Sequence, residues 1–382
     1  MTYTRLGDIC LKICSGGTPT SSNVSYYNGG IPWLNTNEVN FCNIYSTSKT
    51  ISQKGLDNSA AKYIPVNTVI IAMYGVTAGK SAIAKIPLTT NQACCNLVID
   101  EKQADYRYVY YFLKIQSENL NKLANGGAQQ NLNSQIIKRF KIALPSLPVQ
   151  NHIASILSTY DTLIENNMKR IRLLEKMAEN LYKEWFVRFR FPGHENVEMV
   201  DGLPKGWKIE RYGNIAEIIA GGDCPSNCTN IPTKDNTIPI YSNAISNEGL
   251  YGYTDKAKIS SKCITVSARG TVGFVALRTT PFVPIVRLLA VIPHKKNIYY
   301  LYHNSRHNNL EGNGTSQQQL TKPMLCKRKI LMPTPNVLNS FELIVDAMYK
   351  QIQNLQHQNT LLTRQRDLLL PRLMSGRLEI RC

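Results

Sequence analysis

Two stretches of the chain repeat apolar residues in alternating steps of four and three. In the first, Ile153, Leu157, Tyr160, Ile164, Ile171, Leu174, Ala178, Leu181 and Trp185 form one seam, interrupted only by the polar Asn167. In the second, Phe341, Val345, Met348, Ile352, Leu355, Leu362 and Leu369 do the same, with Asn359 and Arg366 as polar members. This period is that of a coiled coil and predicts two long helices that pair. One antiparallel register matches every layer: Leu157 meets Leu369, Ile164 meets Leu362, Ile171 meets Leu355, Ala178 meets Met348 and Trp185 meets Phe341. The same register sets Asn167 opposite Asn359, so two amides that would each be costly against an apolar residue satisfy one another and pin the register. Pro371 is expected to kink or end the second helix before Leu373, which leaves the Ile153 layer without a firm partner. The alternative is two independent amphipathic helices, each packed on its own globular domain.

Between and before these helices the pattern changes. From Thr4 to Leu144 short apolar runs such as Val69 to Met73, Ser81 to Ile86 and Asn96 to Ile99 alternate with turn signals at Gly16-Gly17, Asn28-Gly29-Gly30 and Asn125-Gly126-Gly127. One helix is expected from Tyr106 to Leu123, and the domain reads as α/β or α+β. From Ile209 the same text starts again. Arg5-Leu6-Gly7-Asp8-Ile9 is echoed by Arg211-Tyr212-Gly213-Asn214-Ile215, Ile31-Pro32 by Ile238-Pro239, Tyr74-Gly75 with Gly79 by Arg269-Gly270 with Gly273, and Tyr110-Tyr111 by Tyr299-Tyr300. Gln129-Gln130-Asn131-Leu132 returns as Gln317-Gln318-Gln319-Leu320, and Lys141 to Pro145 as Lys329 to Pro333. The chain is therefore a tandem duplication of one globular domain plus one long helix. The expected boundaries are a first domain at 1–145, a first long helix at 146–190, a linker at 191–208, a second domain at 209–334, and a second long helix with its C-terminal tail at 335–382. Antiparallel pairing would bring the two chain ends near each other and hold the domains apart by roughly 50 Å of helix, on the order of 15 base pairs of duplex DNA.

Charge adds the partner class. The 382 residues carry a formal net charge of +18, with 19 basic against 12 acidic residues up to Val187 and 25 against 14 after it. Both halves are basic, and without a lipid-anchor motif a polyanion is the expected partner, nucleic acid first. No run approaches the ~20 apolar residues of a membrane span, and the N-terminus has no signal-peptide core, which points to a cytoplasmic protein without a membrane partner. The 10 cysteines show no framework spacing, so they read as reduced thiols, mostly buried.

Catalytic signatures are thin. Gly75-Val76-Thr77-Ala78-Gly79-Lys80-Ser81 has three residues between its glycines where a phosphate-binding loop needs four, so it reads as a hairpin turn with an exposed Lys80. Asp100-Glu101-Lys102 lacks the upstream acidic partner of a nuclease site, and no amino-methyltransferase signature or methyl-donor loop is present. The chain by itself is read as a non-enzyme that binds no cofactor or metal. Runs of amide and hydroxyl side chains between turns are better candidates for reading base edges. The DNA-facing set is Thr18, Asn35, Thr36, Asn37, Tyr74, Lys80, Gln129 and Gln130 in the first domain, and Ser242, Asn243, Arg269, Gln317 and Gln318 in the second.

These residues together resemble the specificity subunits of type I restriction-modification systems. The resemblance rests on Leu6-Gly7-Asp8-Ile9 leading to Gly17-Thr18-Pro19, Ile31-Pro32-Trp33, and Leu144-Pro145-Ser146-Leu147-Pro148 followed by Gln150, Ile153-Ala154 and Ile156-Leu157. Asp161-Thr162-Leu163-Ile164 and the closing Leu369-Leu370-Pro371-Arg372-Leu373-Met374-Ser375-Gly376 extend it over nearly the whole chain. It implies two target-recognition domains, each reading half of a split double-stranded DNA site, on an antiparallel helical spacer. It further implies two methyltransferase subunits that use S-adenosylmethionine, and restriction/translocase subunits that use ATP and Mg, with those cofactors on the partners. The second repeat departs from the pattern: Gly17-Thr18-Pro19 becomes Asp223-Cys224-Pro225, Trp33 becomes Ile240, and Leu338 stands where Gln150 would recur. Two other readings compete: a coiled-coil interaction protein whose basic domains bind RNA or protein, and a fused enzyme whose motifs are missing.

Overall fold

The structure, a computed structural model, describes residues 2–123, 132–310 and 319–378. It divides into two compact units, one formed by 1–167 with 358–382 and the other by 168–357. Each unit thus takes one globular repeat together with a segment of both long helices.

The first repeat runs β1 (Thr2–Arg5), β2 (Cys10–Ser15), β3 (Tyr27–Leu34), β4 (Cys42–Ile44), β5 (Lys49–Ile51), α1 (Gln53–Asp57), β6 (Val69–Ala72), β7 (Ser81–Ala84), β8 (Thr89–Thr90) and β9 (Cys94–Ile99). Then follow α2 (Tyr106–Ile115), α3 (Ser117–Lys122), α4 (Ser134–Arg139), β10 (Lys141–Leu144) and the first long helix, α5 (Leu147–Tyr182). A five-stranded sheet of order β2-β9-β6-β7-β4 carries the core, antiparallel except where β4 joins β7. Its central strands β6 and β7 are buried at every position, as the unbroken apolar runs required. A second sheet, β5-β3-β8, packs Trp33 and Ile51 beside it, and β1 pairs with β10.

A short hairpin of β11 (Met199–Val200) and β12 (Leu203–Pro204) precedes the second repeat. That repeat runs β13 (Lys208–Arg211), α6 (Tyr212–Ile215), β14 (Ala216–Ala220), β15 (Ile238–Tyr241), β16 (Leu250–Thr254), β17 (Cys263–Ser267), β18 (Val275–Arg278), β19 (Val283–Pro284) and β20 (Leu288–Pro293). It closes with α7 (Ile298–His307), α8 (Lys322–Lys327), β21 (Lys329–Met332) and the second long helix, α9 (Pro335–Met374). The sheets repeat the first unit almost strand for strand: β14-β20-β17-β18 matches β2-β9-β6-β7, and β16-β15-β19 matches β5-β3-β8. Even the register recurs, with Arg5 opposite Lys141 and Arg211 opposite Lys329. Both units are mixed α/β in composition with mainly antiparallel sheets, so the duplication read from sequence is a duplication of topology.

The long helices pair antiparallel within each unit. In the first, the Asn167 amide donates to Asn359 Oδ1 at 3.0 Å, and Leu157 shares a core with Leu369. In the second, the rings of Trp185 and Phe341 lie 5.9 Å apart and Ala178 shares a core with Met348. Seam residue Arg366, which sequence treats as a polar defect, meets Asp161 at 2.5 Å, and the Tyr111 hydroxyl donates to the same carboxylate at 2.6 Å.

Four expectations change. Pro371 does not end α9, which continues to Met374: the proline removes one N–H bond in the last turn, while Leu370, Leu373 and Met374 are buried in the first unit's core. The Ile153 layer is therefore complete, with Leu373 in the same cluster. The helix expected over 106–123 is two pieces, because at Gln116 ψ swings to 5° and a new axis keeps Leu120 in the core. Among the described cysteines only Cys94, Cys95 and Cys263 are fully buried; Cys224 is exposed and the rest are half-buried, since loops and sheet edges hold most of them. Both chain ends belong to the first unit, where Leu6 and Leu378 pack on one core. Among the described residues no helix is long and apolar enough to cross a membrane.

Candidate nucleic-acid interface

In each unit the polar loops converge on one hairpin. In the first, β6 and β7 are joined through Gly75 and Gly79, both at positive φ (76° and 80°), as a tight turn between sheet strands demands. Gly79 also has no room for a side chain, because a Cβ there would stand 2.7 Å from the Ser117 carbonyl oxygen. Tyr74 is exposed at the start of this turn and Val76 is fully exposed. The Thr77 hydroxyl donates to the Thr36 carbonyl at 2.8 Å, and the Asn91 amide donates to Asn35 Oδ1 at 2.8 Å. The Asn35-Thr36-Asn37 loop is thereby tied to the hairpin, with Asn37 exposed and the other two half-buried. Asn35 also closes a capping box with Glu38. Thr18 is exposed in the loop after β2, where its hydroxyl donates to Gln92, and the Trp33 indole donates to the Gly17 carbonyl at 2.9 Å. Lys80 is not the free surface lysine expected of the turn: it is half-buried and donates to Asn40 Oδ1 at 2.8 Å, since β7 starts at the next residue and draws it against Phe41.

The second unit repeats this construction with different side chains. The hairpin between β17 and β18 turns through Gly270 and Gly273 (φ 79° and 83°), and a Cβ on Gly273 would meet the Leu310 carbonyl oxygen at 2.7 Å. The Thr271 hydroxyl donates to the Asn243 carbonyl, the counterpart of the bond from Thr77 to Thr36. The Asn243 amide donates to the Arg269 carbonyl at 2.6 Å and the Ser267 hydroxyl to the Asn243 carbonyl at 3.2 Å. Ser242, Asn243 and Arg269 are half-buried within this knot.

The remaining candidates, Gln129, Gln130, Gln317 and Gln318, lie outside the described residues. The chain rejoins the described structure beside the same hairpins. The Leu132 amide donates to the Met73 carbonyl, Gln319 bridges to Arg269, and the Leu320 amide donates to the Ala268 carbonyl.

Several residues that matter to this geometry escaped the sequence reading. Arg278, 4% exposed, stacks 3.6 Å from the Tyr241 ring centre and donates to the Glu248 carbonyl at 2.5 Å and to Thr265 Oγ1 at 3.1 Å. It anchors the loop that follows Ser242 and Asn243, in which Asn247 and Glu248 adopt positive φ. Burial lowers its guanidinium from the usual range, while Tyr241 and Glu248 oppose that shift. Thr77 and Thr271 did carry a signal, a threonine two residues before a glycine in both hairpins. Asp100, weighed as half of a nuclease site, caps its own turn instead: hydrogen bonds from Gln103 and the Lys102 amide hold its carboxyl below the usual range. Among the described residues no group of three or more His, Cys, Asp and Glu side chains is placed to hold a metal.

The register pin sits away from these loops. Asn167 is 8% exposed and Asn359 half-buried, with Gln358 a second, longer partner at 3.4 Å.

Comparison with known proteins bears on both repeats. Residues 1–176 and 204–362 match the type I restriction modification DNA specificity domain. The chain is 29% identical over 402 residues to the specificity subunit of the type I restriction enzyme MjaIX of Methanocaldococcus jannaschii, covering 97% of this chain and 91% of that protein. It is 25% identical over 263 residues to a putative type I specificity subunit of Mycoplasma pneumoniae, covering 68% of this chain and 69% of the relative. A crystal structure of the S subunit of a type I restriction-modification system from M. genitalium shares the fold with a TM-score of 0.64 at 18% identity, over 97% of this chain and 95% of that one. The chain belongs to the type I restriction-modification DNA specificity family and carries two copies of its domain in tandem.

Proposed function

We propose that this protein selects the DNA target of a type I restriction-modification complex, each repeat reading its own half of a split, asymmetric duplex site. The observation that carries this is the shared knot beside each hairpin. A common Thr-to-carbonyl bond positions the polar loop in both units, while the side chains offered there differ: Asn35, Thr36 and Asn37 in one, Ser242, Asn243 and Arg269 in the other. A constant scaffold with variable polar tips fits a reader of two different base sequences, because amide and guanidinium groups match base edges in the major groove. The net charge of +18 supplies phosphate attraction that is independent of sequence.

In this reading the paired helices set the spacing of the half-sites and offer their outer faces to two methyltransferase subunits, which carry S-adenosylmethionine. Restriction/translocase subunits with ATP and Mg complete the complex. The exposed apolar residues on α5 and α9, Leu173 at 63% and Leu343 at 75% among them, support a docking role for the helices.

The test is binding selection on randomised duplex by the complete complex. Asn37→Ala is expected to relax discrimination in one half-site by about 1–3 kcal/mol per lost base contact, and Arg269→Ala to do so in the other. Equal loss in both halves, or in neither, would refute the assignment of one repeat to one half-site. A specific RNA ligand in place of duplex DNA would favour the interaction-protein reading.

A further inference from the structure

Both polar loops of the first unit lean on the short segment from Thr90 to Gln92 at the end of β8. The Gly17 amide donates to the Thr90 carbonyl at 2.9 Å, and the Thr18 hydroxyl donates to Gln92. The Asn91 side chain donates from Nδ2 to Asn35 Oδ1 at 2.8 Å. Asn91 is buried and both of its backbone groups are tied, the N–H donating to the Leu34 carbonyl at 3.0 Å and the carbonyl accepting from the Cys94 amide at 3.2 Å. Asn35 is half-buried, and among the described residues no acceptor takes its own Nδ2 group. The second unit is built otherwise at this place. Because β19 pairs with β15 as β8 pairs with β3, and the Ile285 N–H donates to the Tyr241 carbonyl at 2.9 Å, Pro284, Ile285 and Val286 stand where Thr90, Asn91 and Gln92 do. Ser242 takes the place of Asn35 and donates its hydroxyl to the Gly249 carbonyl at 3.2 Å, since the isoleucine side chain behind it has no donor.

We propose that Asn91 is a positioning residue for base recognition: it holds Asn35 Oδ1 inward, so that Asn35 meets DNA with its Nδ2 group and selects guanine or thymine at one position of the first unit's half-site. This rests on the functional reading above and gives one of its loop residues a chemical preference. An amide with both ends free offers a donor and an acceptor side by side, which suits the N6 and N7 atoms of adenine. With its oxygen committed to Asn91, Asn35 is left as a donor. Guanine, with O6 and N7, and thymine, with O4, carry only acceptors on their major-groove edges, whereas adenine and cytosine present an amino group there. A donor set against an amino group leaves both unpaired, and that desolvation cost is the source of the selectivity. The second unit lacks the device, so its Ser242 hydroxyl, which can donate or accept, carries no such bias.

The experiment is binding selection on randomised duplex by the complete complex carrying the wild-type chain, N35D or N91A. In N35D one carboxylate oxygen still accepts from Asn91 and the other faces the DNA, so the preferred base pair at a single position should invert, exchanging its guanine or thymine for the amino-bearing base on the same strand. N91A frees the Asn35 amide to turn either way, and discrimination at that position should fall about tenfold, with the other half-site unchanged in both variants. Exchanging O6 or O4 of the selected guanine or thymine for sulfur, a weaker acceptor, should lower wild-type affinity, while the same exchange in the site chosen by N35D should not. Variants that weaken binding to every duplex but keep the wild-type base preference would overturn the assignment and leave Asn91 a merely structural residue. A sulfur exchange without effect on the wild type would overturn it as well, because the Asn35 oxygen would then be the reader. A wild-type complex that selected no duplex would overturn the functional reading together with this assignment, whereas a fixed wild-type site that N35D leaves unmoved overturns the assignment alone.

Discussion

The two repeats solve the same capping problem with different residues. At the start of α2, Asp105 accepts the Arg107 amide at 2.7 Å, and its own amide donates to Gln150 Oε1 at 3.1 Å from the first turn of α5. At the start of α7 the cap residue is Asn297, which makes no side-chain cap bond. Here Glu342, from one turn further along the second long helix, accepts the Tyr299 and Tyr300 amides at 3.3 and 2.7 Å. Leu338 replaces Gln150 at the matching position, and the missing acceptor reappears four residues later. A helix N-terminus needs its amides satisfied: in the first unit Asp105 does so while Gln150 of the long helix holds the Asp105 amide, and in the second Glu342 of the long helix takes the helix amides itself. The consequence differs, because Gln150 cannot titrate, whereas burial raises the Glu342 carboxyl to about 7 against the pull of the two amides.

The seam shows a second contrast. The first unit joins its helices through amides and an ion pair at Asn167–Asn359 and Asp161–Arg366, and the second through an aromatic cluster of Tyr182, Trp185, Phe186 and Phe341. Phe341 is fully buried, so Phe341→Ala is expected to cost the second unit about 3–5 kcal/mol, from lost transfer energy and the cavity left behind. Urea unfolding followed by fluorescence of Trp185 and Trp207 measures it. A cost below that of Ile164→Ala in the amide-bearing seam would contradict the contrast.

The capping difference predicts a pH dependence confined to the second unit. A carboxyl whose folded pKa lies above its usual 4.5 stabilises the fold below that value and loses the contribution as pH rises through about 7. Wild type should therefore lose roughly 2 kcal/mol relative to E342Q across that window. Parallel urea midpoints for both proteins over the range would show it, and superimposable pH profiles would sink the argument. Gln150→Glu should import a similar dependence into the first unit.

The hairpins come next in size. Gly79→Ala and Gly273→Ala place a Cβ against a backbone oxygen at positive φ, which should cost about 1–2 kcal/mol each. In binding selection each should blur only its own half-site, and a Gly79→Ala complex with both halves blurred would argue against separate readers. The smallest effect belongs to the register pin: Asn167→Leu alone should cost about 1 kcal/mol by leaving Asn359 unpaired. Asn167→Leu with Asn359→Leu should recover that stability while broadening hydrogen exchange along the seam, since two leucines no longer specify one register.

The duplication, the two seams and their antiparallel register were legible in the residues alone, because apolar periodicity and paired polar defects are local patterns whose partners are fixed by helix geometry. The pattern placed Asn167 against Asn359 and Trp185 against Phe341, and it singled out Asn35 to Asn37, Tyr74 and Ser242-Asn243 as loop residues. What those loops lean on emerges only from long-range packing. The bonds from Thr77 to Thr36 and from Thr271 to Asn243, and the Arg278 anchor beneath Glu248, join residues about 30 to 40 positions apart, a separation across which propensity carries no information. The aligned Tyr-Tyr pairs illustrate the limit. Tyr110-Tyr111 echoes Tyr299-Tyr300 as text, yet it is Tyr108 whose hydroxyl bonds the Ala143 carbonyl as that of Tyr300 bonds Leu331, because helix phase against the sheet outranks letter matching. Pro371 shows the same limit: its local cost is legible, but the burial of Leu373 and Met374 that outweighs it exists only once the first unit's core has formed around them.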